Sequence, residues 1–449
     1  MYLLYSTASV LFVLLVSPYF LYQAVRYKKY IGSLRQRLGY LPVSFNLDAD
    51  ESIWIHAVSV GEALTARALI EQLRARYPRL RVFLSTTTMT GQQVAKTHVR
   101  GVDGVFFFPF DLGFIVRRTL RIVRPKLFVV METEPWPNLL RECRRRGVRT
   151  LLVNGRISSR SYPRYRLARA FFRRVLVDLD RACMQSEESA RRLIDIGIDP
   201  KKVTVTGSLK FDSLELPGHG EAAAAARGSY RVLRYFRVPD ERPVIIAAST
   251  LRGEEEPVLR AFARVKREIP AALLVIAPRK PERFAEAEAL AIDAGFTVAK
   301  RTELPVDGAP RTDVVILDTI GELAQLYQVA TAVFVGGSLV DAGGHNILEP
   351  AVFGKPIVIG PHMSNFAEIA RAFVENGAAE QVPDAAALEA ALLALVTDPV
   401  RRARLGAAAR ALVEANRGAR GRTLEVVADL LPYEGHSGHG VVRPFRRVH

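Results

Sequence analysis

The sequence contains only two cysteines, Cys143 and Cys183, among its 449 residues. Both lie in helix- or strand-like segments and are expected to be buried, reduced thiols of a cytosolic compartment. No Gly-x-Gly-x-x-Gly pattern follows the first strand of a domain, so the chain lacks the motif expected of a dinucleotide-dependent oxidoreductase. Acidic residues are also outnumbered, since 46 acidic and 63 basic side chains give a net charge of +17. An anionic partner is therefore expected. Without a zinc knuckle or an RNA-binding signature, nucleic acid ranks below a membrane or a phosphorylated substrate, and we predict no nucleic-acid partner.

The amino terminus lacks charge altogether, because no charged side chain precedes Arg26. Its apolar core, residues 11–16, lies between tyrosines, and a stretch of this length can span a bilayer. Basic residues follow the apolar run, which is the reverse of a cleaved signal peptide. We therefore expect residues 1–25 to form a single membrane anchor and the basic juxtamembrane segment 26–50 to stay in the cytoplasm. Pro18 would kink such a helix, so a helix lying in the membrane interface is the alternative.

Apolar runs alternate with helix-like stretches along the chain, which predicts parallel sheets with helices on both faces. The domains expected from this pattern are 51–215 and 241–432, with a linker and first helix at 216–240 and a basic, disordered tail at 433–449. The predicted strands are residues 53–57, 82–86, 105–108, 127–131, 150–153, 182–184 and 203–206, then 244–248, 272–277, 314–317, 332–335 and 356–359. We predict a long helical stretch from residue 385 to about 431. Loops at the carboxyl ends of both sheets are expected to line a cleft between the domains.

The stretch from Gly336 to Pro350, GGSLVDAGGHNILEP, follows a predicted buried strand. Its two glycine pairs let the backbone turn sharply and approach a ligand closely. Free backbone N–H groups at the start of the next short helix would attract phosphate, and Glu349 could accept hydrogen bonds from a ribose. The pattern indicates a nucleotide pocket, with an ordinary strand-to-helix turn as the alternative.

Carboxylates follow two predicted strands of the first domain. Glu62, in HAVSVGE, should lie in the first turn of a helix, where the helix dipole favours its charged form and suits it to general-base catalysis. The commoner alternative is a glutamate that only complements the dipole. Glu132 and Glu134, in METEPWPN, could stabilise a developing cation or could be surface acids. We expect His56 to be structural.

Cations follow other strands. Lys210 in GSLKFD could neutralise a phosphate, and Arg279 in APRKPERF offers a planar fork to phosphate or carboxylate. Residues 154–174 carry seven arginines interleaved with aromatics, a pattern typical of a helix on a membrane surface or, alternatively, of a solvated face. No metal-ligand constellation is found in the sequence. Lys, Arg and backbone N–H groups could bind a sugar donor with one phosphate, so no metal and no other cofactor is expected.

The ordered set HAVSVGE, TTTMTG, METEPWPN, GSLKFD, APRKPERF, DTIGEL and GGSLVDAGGHNILEP resembles the bacterial 3-deoxy-D-manno-octulosonic acid (Kdo) transferases. Single motifs are weak, but their number, order and spacing make the resemblance specific from the amino terminus to about residue 430. It implies a GT-B fold of two Rossmann-like, doubly wound domains facing a central cleft. It also implies inverting transfer of Kdo from CMP-Kdo to a phosphorylated lipid A precursor. The reaction would belong to lipopolysaccharide biosynthesis and occur among anionic lipids at the cytoplasmic face of the inner membrane.

The same resemblance assigns roles to individual residues. Glu62 would be the base that activates the acceptor hydroxyl, while Glu132 and Lys210 would stabilise the transition state, one near the cationic sugar and the other near the departing charge. The residues implied to hold CMP are Pro278, Arg279, Ile320, Gly321, Glu322, Asn346, Ile347, Leu348 and Glu349. The chain departs from the family pattern at Pro135, where leucine is frequent, and the tail after Tyr433 has no family role. The motifs leave open how many Kdo residues are added.

Two other interpretations stay open at this point. The chain could be another membrane-associated GT-B glycosyltransferase with a different nucleotide sugar, such as a UDP-sugar, or a non-catalytic binder of anionic lipid. Comparing the thermal stabilisation by CMP with that by UDP distinguishes the first alternative from a Kdo transferase. Replacement of Glu62 by alanine separates the second, because a lipid binder would not depend on that carboxylate.

Overall fold

The structure is a computed structural model of the chain. It describes residues 2, 5–7, 10–11 and 15, and then 31–132, 134–159, 161–212, 242–304 and 311–432. They form two compact units, of which the first is Met1–Ser213 with Arg417–His449 and the second is Leu214–Asn416. The predicted linker with its first helix, the predicted tail and most of the predicted anchor lie outside the described residues. Within these ranges, no helix combines the length and the hydropathy that crossing a bilayer requires.

The first unit contains a parallel seven-stranded sheet in the order β3-β2-β1-β4-β5-β6-β7. Its central strands are buried on both faces: Trp54 packs in one hydrophobic core, while Ile53 and Ile55 pack in the other. The predicted doubly wound sheet is therefore confirmed, with strand bounds within two residues of those expected. The strands are β1 Ser52–His56, β2 Arg81–Thr86, β3 Gly104–Phe107, β4 Pro125–Met131, β5 Arg149–Gly155, β6 Arg181–Met184 and β7 Val203–Val205.

Helices cover both faces of this sheet. Residues 154–174, predicted as one basic helix, instead form the end of β5 and two short helices. Residues 31–50 pack onto this unit and do not form a separate segment; for example, Phe107 N donates to Gln36 Oε1 at 2.9 Å. Both cysteines are buried free thiols, as expected. The helices are α1 Ile31–Arg37, α2 Val60–Arg76, α3 Met89–His98, α4 Gly113–Val123, α5 Pro137–Arg145, α6 Tyr162–Leu167, α7 Arg169–Leu176 and α8 Glu187–Ile196.

The second unit repeats the architecture with a parallel sheet in the order β10-β11-β9-β8-β12-β13-β14. Its core packs Phe262 and Phe334 between the sheet and its helices. The strands are β8 Val244–Thr250, β9 Leu273–Pro278, β10 Val298–Lys300, β11 Val314–Ile316, β12 Ala332–Val335, β13 Ile357–Ile359 and β14 Glu380–Gln381. The helices are α9 Glu255–Glu268, α10 Phe284–Asp293, α11 Leu323–Leu326, α12 Leu348–Val352, α13 Ala367–Glu375, α14 Ala385–Thr397 and α15 Pro399–Ala415.

The last helix, α16 (Ala419–Leu430), belongs to the first unit and not to the second, where we had placed residues up to 432. Ala419, Val426 and Val427 are buried in the same core as Ile53 of β1. The apolar stripe of the helix is visible in the sequence, but the surface that it covers, on α2, β5 and β6, lies more than 200 residues earlier in the chain. Sequence proximity alone therefore assigned it to the wrong unit.

Candidate active site

Strand order reverses once in each sheet, between β1 and β4 in the first unit and between β8 and β12 in the second. At such a switch point the adjacent loops diverge to opposite faces and leave a crevice at the carboxyl ends of the strands, where α/β proteins bind ligands. Glu62 and Glu132 lie in the connections that follow β1 and β4, and the glycine-rich stretch follows β12. Glu62, Glu132 and the glycine-rich stretch therefore lie at the switch point of their own sheet.

Glu62 is held in the first turn of α2 by the start of that helix. Ser59 is the N-cap, and its Oγ accepts a hydrogen bond from Glu62 N at 3.5 Å. In return, the Glu62 carboxylate accepts hydrogen bonds from Val58 N at 2.8 Å and from Ser59 Oγ at 3.0 Å. This reciprocal capping arrangement satisfies helix-terminal donors and fixes the carboxylate near the end of β1.

Burial, and then the negative charge of Glu132, raise the pKa of Glu62 to about 7, although the hydrogen bonds from Val58 and Ser59 act in the opposite direction. Our expectation that the helix terminus would keep this carboxyl fully ionised is therefore wrong. Loss of hydration disfavours the charged form more strongly than the helix start favours it. A carboxyl group that titrates near neutrality is well matched to taking up a proton in catalysis.

Glu132 and Lys210 lie together beside this site. Lys210 Nζ lies 3.9 Å from Glu132 Oε1, and both side chains are partly exposed. Glu132 follows β4 with a φ of +57°, a left-handed conformation that is uncommon for a residue other than glycine and is concentrated at functional sites. Burial, and then the charge of Glu132, raise the pKa of Glu134. The structure thus brings Glu62, Glu132 and Lys210 into one electrostatic cluster.

The loop that carries Lys210 is held by two residues that we did not predict. Leu209 N donates to Oδ1 of the buried Asn154 at 3.0 Å. Asp212 accepts from Gly418 N at 2.8 Å and from Arg420 N at 2.6 Å, and so ties the loop to the start of α16. Asn154 has a φ of +58°, a conformation that asparagine tolerates better than most residues. Its position directly after an apolar run was the available signal.

His56 is buried, and its Nδ1 lies 3.1 Å from Ser85 O and 3.0 Å from Ser85 Oγ. Its ring stacks on Phe108 with centroids 3.8 Å apart. Burial lowers the pKa of His56 to about 3, although the contact with the Ser85 carbonyl acts in the opposite direction. A neutral ring packed in this way agrees with the structural role that we expected.

We expect the first unit to lose about 2 kcal/mol of unfolding free energy through His56 between pH 7 and pH 5. The folded ring stays neutral there, while the unfolded ring, with its ordinary pKa of 6.5, binds a proton as the pH falls below that value. A depressed pKa means that this stability is present above pH 6.5 and is lost toward acid. Urea unfolding followed by tryptophan fluorescence reports on this unit, because Trp54 and Trp136 both lie in it. The His56→Asn variant should show a correspondingly smaller loss, and an unchanged loss would contradict the assignment.

Arg279, Asn346 and Glu349 come together in the second unit. Asn346 Nδ2 donates to Glu349 Oε1 at 3.0 Å. Burial raises the pKa of Glu349, while this hydrogen bond and the charge of Arg279 lower it. The Arg279 charge also contributes, after burial, to the lowered pKa of His345. A guanidinium, an amide and a carboxyl are thus available at the switch point to contact a phosphate and a ribose.

Among the other residues predicted to bind the donor nucleotide, several side chains are less accessible to a ligand than we expected. Ile347 and Leu348 are buried in the core, so only their backbone could contact a ligand, and Leu348 N already donates to Asn346 Oδ1 at 3.1 Å. The Glu322 carboxylate is paired with Arg301 Nε at 3.1 Å and accepts from Thr319 Oγ1 at 2.6 Å.

The remaining residues that we predicted to bind the donor nucleotide follow strands of the same sheet. Gly321, with a φ of +93°, and the exposed Ile320 follow β11. Pro278 ends β9, and Arg279 N donates to Thr250 O at 3.0 Å.

Three N–H groups of the glycine-rich stretch, well before the short helix that we expected to attract phosphate, are already bonded inside the protein. Gly337, Ser338 and Leu339 donate theirs to the carboxylate of Glu254, which lies after β8. Sequence analysis did not single out Glu254, because no local pattern links it to a loop more than 80 residues away.

Comparisons with known proteins agree with this architecture. Residues 32–213 match the family model of 3-deoxy-D-manno-octulosonic-acid transferase (kdotransferase), and residues 310–412 match that of glycosyl transferases group 1. The UDP-GlcNAc 2-epimerase of Neisseria meningitidis, solved with UDP-GlcNAc, covers 84% of this chain and 100% of its own with a TM-score of 0.60. At 13% identity this likeness shows the fold alone, and it is consistent with the predicted GT-B class of two Rossmann-like domains.

Sequence relatives are more specific. The 3-deoxy-D-manno-octulosonic acid transferase of Haemophilus influenzae is 35% identical over 413 residues, which is 91% of this chain and 93% of that protein. The transferase of the same name from Bordetella pertussis is 36% identical over 387 residues, 84% of this chain and 87% of that protein. Since this similarity extends over nearly the full length of both proteins, the chain belongs to the 3-deoxy-D-manno-octulosonic acid transferase family of glycosyltransferases.

Proposed function

We propose that the chain transfers Kdo, with inversion, from CMP-Kdo to a hydroxyl of a phosphorylated lipid A precursor in lipopolysaccharide biosynthesis. Membership of the 3-deoxy-D-manno-octulosonic acid transferase family supports Kdo as the sugar that is transferred. The observation that carries the chemistry is Glu62, a carboxyl with a pKa of about 7 that is fixed at the end of β1 next to the charge of Glu132. Such a group is ionised in a large fraction of molecules at neutral pH and can take a proton from an alcohol.

In the proposed step, Glu62 accepts the proton of the acceptor hydroxyl while that oxygen bonds to the anomeric carbon of Kdo. The bond from this carbon to the phosphate oxygen breaks, and its electron pair leaves with CMP. Attack from the face opposite to CMP inverts the configuration. Glu132 and Lys210 stabilise the charges that develop, one near the cationic sugar and the other near the departing phosphate.

The donor half of the proposal is supported by Arg279, Asn346 and Glu349. The Arg279 guanidinium suits the single phosphate of CMP-Kdo, and the Glu349 carboxyl suits the ribose hydroxyls. Because arginine and lysine side chains can neutralise a single phosphate, we propose that the reaction uses no metal ion.

Membrane lipid is the proposed setting, because the acceptor carries acyl chains and phosphates and the chain has a net charge of +17. In α6 and α7, arginines accompany Leu167, whose side chain is exposed to 91%. This combination supports contact of the first unit with anionic lipid on the cytoplasmic face of the inner membrane. The predicted anchor stays a prediction. Co-sedimentation of the full chain with phosphatidylglycerol vesicles, absent with neutral vesicles, is the expected result.

The direct test is incubation of the protein with CMP-Kdo and a lipid A precursor, followed by mass spectrometry of the lipid. We expect a mass increase of one or more Kdo residues, so the same spectrum counts the transfers. The rival donor is tested in parallel with a UDP-sugar. Thermal stabilisation by UDP but not by CMP, together with an unmodified lipid, would contradict the proposal.

We expect kcat/KM to rise with pH through about 7, because Glu62 must be ionised to act as the base. Since Glu132 contributes to the raised pKa of Glu62, the Glu132→Gln variant should move this acid limb toward lower pH. The position of the limb is the measurement, whatever the rate that remains. A limb at the same pH in variant and wild type would show that the charge of Glu132 does not act on Glu62.

A further inference from the structure

Glu254 is a fully buried carboxylate at the switch point of the second sheet, directly before α9. Its Oε2 accepts hydrogen bonds from Gly337 N at 2.7 Å and from Leu251 N at 2.9 Å. Its Oε1 accepts from Ser338 N and Leu339 N, both at 3.0 Å. Four backbone N–H groups stabilise a buried negative charge much as a bound anion is stabilised in a phosphate-binding loop. Glu254 is therefore an internal anion that occupies N–H groups of the glycine-rich stretch.

The loops after β8 and β12 approach each other closely around this carboxylate. A side chain at Gly336 would have its Cβ 2.7 Å from Ser249 O and 2.8 Å from Glu254 Oε2. Ser249 itself has a φ of +56°, so the end of β8 adopts an uncommon conformation at the same place. The contact depends on glycine at position 336 and on an acceptor at position 254.

The backbone that Glu254 holds leads to the donor residues. Gly337, which donates to Glu254, also accepts a hydrogen bond from Gly344 N at 2.7 Å. Gly344 has a φ of +72° and lies two residues before Asn346. The turn that presents Asn346 and Glu349 is thus attached to the segment that Glu254 fixes.

The neighbouring Glu255 fixes the loops that position Arg279, another residue predicted to bind the donor nucleotide. Its Oε2 pairs with Arg283 at 3.0 Å and its Oε1 accepts from Thr250 Oγ1 at 3.0 Å. Thr250 O in turn accepts from Arg279 N at 3.0 Å. Two consecutive buried glutamates therefore connect the loops after β8, β9 and β12.

We propose that Glu254 is a positioning residue for the donor nucleotide, which fixes the backbone of residues 337–339 so that Asn346 and Glu349 meet the nucleotide together. This inference rests on the proposed function, because CMP is the ligand of that site. Glu254 acts through the loop and not on the nucleotide. It also reserves the first N–H groups of the glycine-rich stretch for an internal partner, so the donor phosphate is left to other groups, such as Arg279.

Calorimetric titration of the full chain with CMP tests the proposal. Glu254→Gln preserves size but directs an NH2 group at backbone donors, so the loop loses acceptors. We expect the Kd for CMP to rise at least about tenfold, with KM for CMP-Kdo rising in parallel and kcat at saturating donor within about threefold of wild type. A general loss of folded protein would lower the active fraction without changing Kd. Glu256→Gln is the matched control, because Glu256 is exposed on the same helical turn.

Equal Kd values for wild type and Glu254→Gln overturn the inference and leave the proposed function intact. Absence of CMP binding by the wild type contradicts the proposed function instead. Should the variant not fold, hydrogen exchange of the wild-type peptide spanning residues 336–340 decides the matter. We expect slow exchange without CMP, because the donors are already bonded inside the protein. Fast exchange that becomes slow only with CMP would show that these N–H groups serve the ligand and would overturn the inference.

Discussion

Replacement of Glu62 by glutamine is expected to lower kcat at least about 100-fold, the usual loss for a positioned general base. The amide has nearly the same size and can still accept a hydrogen bond from Val58 N, but it cannot take up the proton of the acceptor hydroxyl. Alanine at this position should be at least as damaging, because it also removes the partner of Ser59 Oγ. Initial rates with CMP-Kdo and a lipid A precursor measure the effect.

Glu71→Gln is the matched control for this variant. Glu71 lies on the same helix, is exposed and pairs with Arg67 at 3.9 Å, so its loss should leave the rate unchanged. Binding of CMP should also be unchanged in Glu62→Gln, since the proposed donor residues belong to the other unit. A Glu62→Gln enzyme with the wild-type rate would remove this carboxylate from the mechanism.

Lys210→Met is expected to lower kcat by about 100- to 1,000-fold, in the range found when one preorganised charge-stabilising group is removed from an active site. Methionine keeps most of the length of the side chain but removes the ammonium group that lies 3.9 Å from Glu132 Oε1. Lys210→Arg should retain part of the rate, because it keeps the charge but not its position. The measurement is kcat at saturating donor and acceptor.

Lys201→Met serves as the control, because Lys201 is an exposed lysine nearby in the sequence. Its rate should match that of the wild type. A loss of less than about tenfold in Lys210→Met would indicate that the lysine only balances Glu132 in the resting protein and does not stabilise developing charge.

Twelve strands were predictable from the sequence, including both edge strands of the first sheet, but the two edge strands of the second sheet were missed. The run at residues 332–335 was predicted with the bounds that the structure has, because a short apolar run followed by a glycine pair favours a buried strand over a helix. By contrast, Val298–Lys300 is only partly buried and Glu380–Gln381 is a polar pair. Both are edge strands defined by backbone pairing with a neighbour, which leaves little pattern in the side chains.

The positions of Glu62 and Glu132 after their strands were predictable from local motifs, but the pKa shift of Glu62 was not. The raised pKa of Glu62 depends on burial and on Glu132, which is distant in sequence. Asn154 and Glu254 support the site through backbone hydrogen bonds to loops far along the chain. Such contacts are set by tertiary structure, and no propensity or periodicity reports them.

The two units of this enzyme cannot both be produced as simple fragments, because the first unit is built from two separate stretches of sequence. A fragment that stops at residue 213 would omit α16, leave the apolar surface beneath Val427 open to solvent, and remove the partners of Asp212 that hold the loop of Lys210. The described part of the second unit, residues 242–304 and 311–416, falls within one uninterrupted stretch of the chain. Carboxy-terminal truncation therefore damages the first unit before it reaches the second, although most of the first unit lies at the other end of the sequence.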